Sequence, residues 1–412
     1  MPKKVFVKSK GPILVRLYNF FLFFLGRINF VKYEVDHIRY LKKFYKEREK
    51  KRISNKLPEE ALRQFLNNVK LKSLNPATQL FISGELDRVF SNRAKIANIQ
   101  NENPNLMDKY FPDPIFIVGL PRTGTTALQK MFSLLDNCRV LKLWELHYPT
   151  AHLEGEHAIK RARNQTRKYA FLQNFSKPEQ KFIHPVGTDE PDECFRLLFN
   201  SFTSIAISSA LGLDDYEKWV LESDMLSVYQ DYKDQLQILS INKPKKQLVL
   251  KAPEHLWNLN VLFKVFPSSR VVMTHRDPLQ SITSYSSMIS MFRRTAYKKT
   301  NFKHLGPYVT DVFQEGLKRC YRTRENPNYN KKIIDVHCKD IQRYPADIFK
   351  NICKQLKINI NKKSSDALGR WIKKKKNDAP GKHNFSFPTY GVSRSLVEKK
   401  FRFYDNNRYL SN

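Results

Sequence analysis

The sequence predicts an α/β protein: a parallel sheet of about five strands covered by helices on both faces, with a helical N-terminal extension and a helical insertion. Short apolar runs of strand character lie at 114–119, 138–143, 246–251, 270–275 and 331–336. Continuous apolar runs of that length suit strands buried on both faces, as in a parallel sheet. Helical patterns intervene between them, the alternation that covers such a sheet on two sides. A chain of 412 residues with 41% hydrophobic composition can also bury one large core.

Residues 1–45 form a basic, aromatic arm, in which Lys3, Lys4, Lys8 and Lys10 precede an apolar stretch from Pro12 to Leu25. The layout imitates a signal peptide, yet no small-x-small cleavage site follows. Its uninterrupted apolar core, Phe20 to Leu25, is far shorter than the roughly 20 residues a bilayer span needs. Two readings stay open: an interfacial helix on anionic lipid, or an amphipathic helix packed on the main domain. Residues 46–111 read as a helical extension with apolar positions at Leu62, Phe65 and Leu66. The main domain spans 112–412, with a helical insertion over 155–240 that carries Trp219, Tyr229 and Tyr232, and a closing loop and final helix over 380–412.

The most informative segment runs from Pro114 to Thr126. A β-branched run breaks at Gly119, turns through Leu120-Pro121-Arg122-Thr123-Gly124, and enters the helical pattern Thr125-Thr126-Ala127-Leu128. A strand, turn and helix in that order gather backbone N–H groups and a positive helix end on one point, an anion cradle. Gly119 and Gly124 have the spacing of a nucleoside-triphosphate P-loop, so the fold is expected to be P-loop NTPase-like. Thr125, however, stands where that motif requires lysine. The loop therefore suits a shorter anion than a triphosphate, and Arg122 adds a bidentate donor for a tetrahedral oxyanion.

Two further strand ends repeat the pattern. Arg270 to His275 reads as a strand, followed by Arg276, Asp277 and a helix opened by Pro278. Arg276 lies at the carboxyl end of that strand, where open parallel sheets bind ligands, and Ser284 follows about two helical turns later. A plain helix cap with a local ion pair is the alternative for the Arg-Asp-Pro turn. Gln247 to Lys251 is a strand leading into Ala252-Pro253-Glu254-His255.

The string Gly-Leu-Pro-Arg-Thr-Gly-Thr-Thr, with Arg276 and Ser284 at their spacing, resembles the PAPS-dependent sulfotransferases (PAPS is 3′-phosphoadenosine 5′-phosphosulfate), and most closely their bacterial-type branch. The resemblance covers about residues 112–400 and implies that Arg122, Thr123, Gly124, Thr125 and Thr126 bind the 5′-phosphosulfate. It implies that Arg276 and Ser284 bind the 3′-phosphate, and that Lys382 and His383 close over it. Lys251 matches the family's catalytic lysine, although Ala252 replaces the usual serine. Glu145 follows the loop by the interval at which tyrosylprotein sulfotransferases carry a catalytic glutamate, which makes it the expected general base. A carboxylate beside Trp144 is also placed for a raised pKa. His255 and His147 are the reserves. For Asp192 and Glu193, helix capping is the first reading and lining of the acceptor pocket the second.

The implied reaction is in-line transfer of a sulfuryl group from PAPS to a hydroxyl, releasing 3′,5′-ADP, with no metal required. The implied acceptor is a small-molecule, lipid or carbohydrate hydroxyl, in a pocket formed by the aromatic insertion. Alternatives are a nucleotide phosphotransferase or NTPase, or a non-catalytic binder of polyanions or membrane that keeps the fold.

A net charge of +34 would attract polyanions or anionic lipid, but no helix-turn-helix, zinc finger or aromatic RNA-binding signature accompanies it, so no specific nucleic acid is expected. Lysine runs such as Lys373 to Lys376 read as solvated faces or helix ends. Five scattered cysteines without metal-ligand spacing point to a reducing compartment. The expected location is the cytoplasm, peripheral at the membrane if the N-terminal arm lies on lipid.

Overall fold

The computed structural model describes residues 10–50, 59–102, 111–242, 246–377 and 386–404. Five parallel strands form its sheet: β1 (Ile115–Gly119), β2 (Cys138–Arg139), β3 (Gln247–Lys251), β4 (Arg270–His275) and β5 (Ile333–His337), in the order β2-β3-β1-β4-β5. β1 lies centrally, with Ile117 in register with Lys251 of β3 and with Val272 of β4. All of its residues are buried. Side-chain alternation along it divides the interior in two. Phe116 and Val118 face the larger core with Leu250 and Val271, while Ile115 and Ile117 face a second core with Val249, Val272 and Ile334. Helices supply the outer half of both layers.

Because β3 and β4 flank β1 on opposite sides, the crevice beyond the carboxyl ends of these three strands is where ligands of open sheets bind. The expected strand over 138–143 is shorter than its sequence suggested. Only Cys138 and Arg139 pair with β3, and by Leu143 the chain has already turned into a helix.

The labelled helices are α1 (Ile13–Arg27), α2 (His37–Glu49), α3 (Glu59–Leu71), α4 (Pro76–Glu102), α5 (Thr125–Phe132), α6 (Leu143–His147), α7 (Glu156–Ser176) and α8 (Pro278–Ala296). Asp36 caps α2 by accepting from Arg39 N at 2.8 Å, and the Tyr40 hydroxyl donates to Ser83 O at 2.9 Å. The extension and insertion share the larger core. The guanidinium of Arg93 on α4 makes a bidentate pair with Asp231 at 2.6 and 2.8 Å. Ser201 Oγ and Gln235 Nε2 also donate to that carboxylate, at 2.7 and 2.8 Å.

The 155–240 insertion consists of α7 and a series of shorter helices. Its aromatics differ from expectation: Tyr229 and Tyr232 are fully buried in the core and Trp219 packs against it, so these three brace the domain rather than line a pocket. No helix among the described residues is long and apolar enough to cross a membrane. Lys3, Lys4 and Lys8 lie outside the described residues.

The Arg93–Asp231 pair generates a stability prediction. Arg93→Met leaves Asp231 buried without its cation and should lower unfolding stability by about 3–5 kcal/mol, read as a reduced urea midpoint. A loss below about 1 kcal/mol, the level of a surface pair, would contradict the clamp.

Candidate active site

The cradle begins where β1 ends. Gly119 turns at φ +148°, and a Cβ there would stand 2.6 Å from the Thr274 carbonyl of β4, so only glycine lets the loop leave the sheet at that point. Thr123 fixes the loop from below. Its hydroxyl donates to Leu120 O at 2.7 Å and meets the Thr274 hydroxyl at 2.5 Å. It is thus a buried brace, its hydroxyl engaged within the protein. Gly124, at φ +97°, caps α5 in the left-handed region, leaving the first N–H groups of α5 without intrahelical partners. Thr125 and Thr126 stand at that end and line the adjoining cavity.

Two guanidiniums meet above the loop. Arg122, itself at φ +74°, donates through Nη1 to Ile183 O at 2.8 Å and through Nε to Ser284 Oγ at 3.3 Å. Arg276 donates to the Arg122 carbonyl at 2.7 Å and to Gln280 Oε1 at 3.1 and 3.3 Å. Burial first, and then the Arg276 charge, pulls Arg122 below its ordinary pKa. Neither arginine forms an ion pair with a carboxylate among the described residues. Such a pair favours an anion between them. Asp277 caps α8 by accepting from Leu279 N at 2.8 Å, so the cap reading holds for Asp277 while Arg276 still lines the cavity. Ser284 sits beneath Arg122 and orients it.

Lys251 ends β3 with its side chain only 1% exposed. Its ammonium donates to Glu193 Oε1 at 2.6 Å and lies 3.5 Å from Thr126 Oγ1. Both partners line the cavity. Glu193 therefore serves the lysine and not a helix end, whereas Asp192 stays local, accepting from Glu193 N at 2.6 Å and from Arg196 at 3.3 Å. Where the resemblance expects serine, Ala252 is fully buried.

Glu145 is engaged elsewhere. Oε1 accepts from Arg139 at 2.7 Å and Oε2 from Lys142 N at 2.9 Å, so both oxygens hold the start of α6, and the residue is not among those lining the cavity. His255 is a core residue. Nδ1 meets the Tyr229 hydroxyl at 2.8 Å and Nε2 the Cys194 thiol at 3.3 Å, and burial lowers its pKa to about 3. His147 is buried as well and held neutral, well below the ordinary histidine value, by burial and then by Arg196 and Arg88. None of these three reserves its side chain for a substrate. Lys382 and His383 lie outside the described residues.

The cavity encloses about 1200 Å³. Arg122, Gly124, Thr126, Arg276, Trp371 and Lys375 supply polar and aromatic lining, and Phe199, Ile207, Met288 and Phe292 supply apolar lining. Val15 and Tyr18 of α1 and Leu172 and Phe175 of α7 also line it. Glu193 and His184 border the same space. Lys373, Lys374 and Lys375 are exposed, as read, and Lys375 in addition sets its ammonium 5.0 Å over the Trp371 ring, an i, i+4 pair. Sequence reasoning also missed two buried ionisable groups of the walls. Burial pushes Glu254 up to about 8, against hydrogen bonds from Ser204 Oγ and Ala206 N, both at 2.6 Å. Burial, then Arg294, draws Lys177 down to about 7. Among the described residues, no three His, Cys, Asp or Glu side chains gather where they could hold a metal ion.

The fold has solved counterparts. The sulfotransferase STF9 from Mycobacterium avium superposes with a TM-score of 0.73 at 20% identity, over 85% of this chain and 91% of that one. Sulfotransferase STF1 from Mycobacterium tuberculosis H37Rv gives 0.71 at 20% identity, over 96% of this chain and 100% of that one. At such identities the likeness is one of fold. No curated protein sequence matches. The model of the sulfotransferase family matches residues 114–362, more than half of the chain and the whole stretch from the anion cradle through Lys251 to Arg276. The chain belongs to the sulfotransferase family.

Proposed function

We propose that this sulfotransferase takes its sulfuryl group from PAPS and transfers it to a hydroxyl held in the apolar limb of the cavity, with Glu193 as general base. The observation that carries this reading is the Lys251–Glu193 pair at 2.6 Å, beside Thr126 of the cradle and on a cavity that also has apolar lining. The residues fit the nucleotide: two adjacent guanidiniums without carboxylate partners among the described residues, the free N–H groups of α5, and a tryptophan lining the same cavity. Arg122, Gly124, Thr125 and Thr126 would hold the 5′-phosphosulfate, and Arg276, braced through Gln280 and the loop carbonyl, the 3′-phosphate. Ser284 and Thr123 act by positioning Arg122 and the loop.

Bound PAPS supplies the sulfuryl group and leaves as 3′,5′-ADP. The protein's part is to place charge and to move one proton. Lys251 fixes Glu193 through Oε1, which leaves Oε2 to take the acceptor's hydroxyl proton. The same ammonium, beside Thr126, adds positive charge at the cradle's edge, where charge develops during transfer. The apolar walls exclude water that would compete as acceptor, and they favour an alcohol over a charged one. Glu254, protonated at neutral pH by its burial, adds no charge to that limb.

Two predictions follow from the assignment of the base and the chamber. With sulfur-labelled PAPS and a panel of aliphatic alcohols, Glu193→Gln should lower turnover roughly 10²- to 10⁴-fold. Glu145→Gln should instead cost about 1.5–3 kcal/mol of stability through the charge lost beside Arg139, with turnover near the parent's. The reverse pattern, in folded variants, would return the base to Glu145. Glu254 adds a pH dependence to stability. Its folded-state pKa of about 8 lies above the ordinary 4.5, so the folded protein holds the proton more tightly, and stability is lost as pH rises between those values. Glu254→Gln should remove that fall, so the difference in thermal midpoint between variant and parent widens from pH 4.5 to about 8. A difference independent of pH would contradict the neutral carboxyl.

A further inference from the structure

The first helix turns its polar residue inward and its aromatic residues outward. Within α1 the buried residues are Asn19 and Leu22, whereas Leu14, Leu17, Phe20, Phe21 and Phe24 are each more than half exposed. Asn19 acts as a bracket. Its Nδ2 donates to Val15 O and its Oδ1 accepts from Ala77 N of α4, each at 2.9 Å, so the orientation of the helix is fixed by the fold. A second exposed apolar group lies on α7, where Phe171, Leu172 and Phe175 are exposed, and Phe171 stacks on Phe175 at 6.1 Å. Single exposed apolar residues are ordinary, but a cluster of this kind marks a binding surface. It also borders an opening, because Val15 and Tyr18 of α1 and Leu172 and Phe175 of α7 line the cavity itself.

Charge identifies what covers this surface. The first 33 residues contain seven lysines and arginines and no aspartate or glutamate. Arg16 and Arg27 are exposed on α1, the latter 5.3 Å over the Phe23 ring. On α7, Arg167 and Lys168 are exposed one turn before Phe171 and Leu172. Exposed aromatics flanked by cations, with no acid among them, suit the boundary of an anionic bilayer. A second copy of this chain, also carrying +34, would be repelled.

We infer that α1 and the Phe171–Phe175 turn of α7 dock on an anionic bilayer, and that the cavity between them draws its acceptor, an alcohol with a long apolar body, from that bilayer. The acceptor half of this inference rests on the proposed function, and the docking half does not.

Flotation of the full chain with phosphatidylcholine vesicles, with and without an equal share of phosphatidylglycerol, tests the docking. The parent should float with the phosphatidylglycerol vesicles. Phe20→Ser combined with Phe24→Ser should weaken its partitioning roughly tenfold or more, with the parent's thermal midpoint and 3′,5′-ADP affinity retained. A parent that does not float, or a variant that floats equally well, would overturn the docking. So would a parent dimer that the double substitution splits into monomers, since a second copy would then cover the face. For the acceptor, the variant should sulfate dodecanol embedded in the anionic vesicles roughly tenfold more slowly while sulfating butanol in solution at the parent's rate. Equal rates on embedded dodecanol would overturn delivery from the bilayer. No transfer to either alcohol by the parent would overturn the acceptor half together with the function it rests on, leaving docking to stand on flotation.

Discussion

In the proposed reaction the Lys251–Glu193 ion pair joins the anion cradle to the acceptor's proton, and much of the architecture reads as the means of placing it. A lysine side chain 1% exposed is tolerable only with a close partner and further hydrogen bonding, and both come from elements that reach the same point by different routes. β3 brings Lys251 beside the central strand, in register with Ile117, two residues before the cradle glycine. The loop ahead of the short helix Phe195–Phe199 brings Glu193. Thr126, at the start of α5, closes the triangle at 3.5 Å. Glu193 and Thr126, the two groups that meet this ammonium, both line the cavity.

Much of the anion cradle was legible in the sequence because its physics is local. Gly119 and Gly124 sit where the backbone needs φ of +148° and +97°, a strand run precedes them and a helical run follows, and each is a short-range signal. Arg276 was legible for the same reason, one residue beyond a strand. The parallel sheet followed from doubly buried runs, apart from β2, where only two of six expected residues pair because Leu143 onward answers to helix capping by Glu145.

Tertiary facts stayed hidden. An interval along the chain gave Glu145 a catalytic reading, but it does not say what the two carboxylate oxygens meet, and in the fold Arg139 takes one and Lys142 N the other. Glu193 lies 58 positions from the lysine it binds, and nothing in spacing announces that contact. His255 and the tyrosines of the insertion were read as site residues because they carry chemistry, yet Tyr229, Tyr232 and Cys194 enclose the imidazole in the core. The outward aromatic face of α1 was half legible. Its composition was plain, but the burial of Asn19 decides which side faces solvent, and that depends on a contact with Ala77.

The central claim is that two guanidiniums without a carboxylate partner among the described residues, and a helix start lacking the P-loop lysine, form a site for a 3′,5′-bisphosphate nucleotide. Calorimetric titration of the purified full chain with 3′,5′-ADP, with 5′-AMP and ATP–Mg2+ in parallel, measures it directly. The account predicts one 3′,5′-ADP bound per chain, far weaker binding of 5′-AMP, and a loss of roughly 10- to 100-fold in Arg276→Ala, as for a charge-assisted hydrogen bond removed from a phosphate. Preferred binding of ATP–Mg2+, or 3′,5′-ADP affinity unchanged in Arg276→Ala, would contradict it.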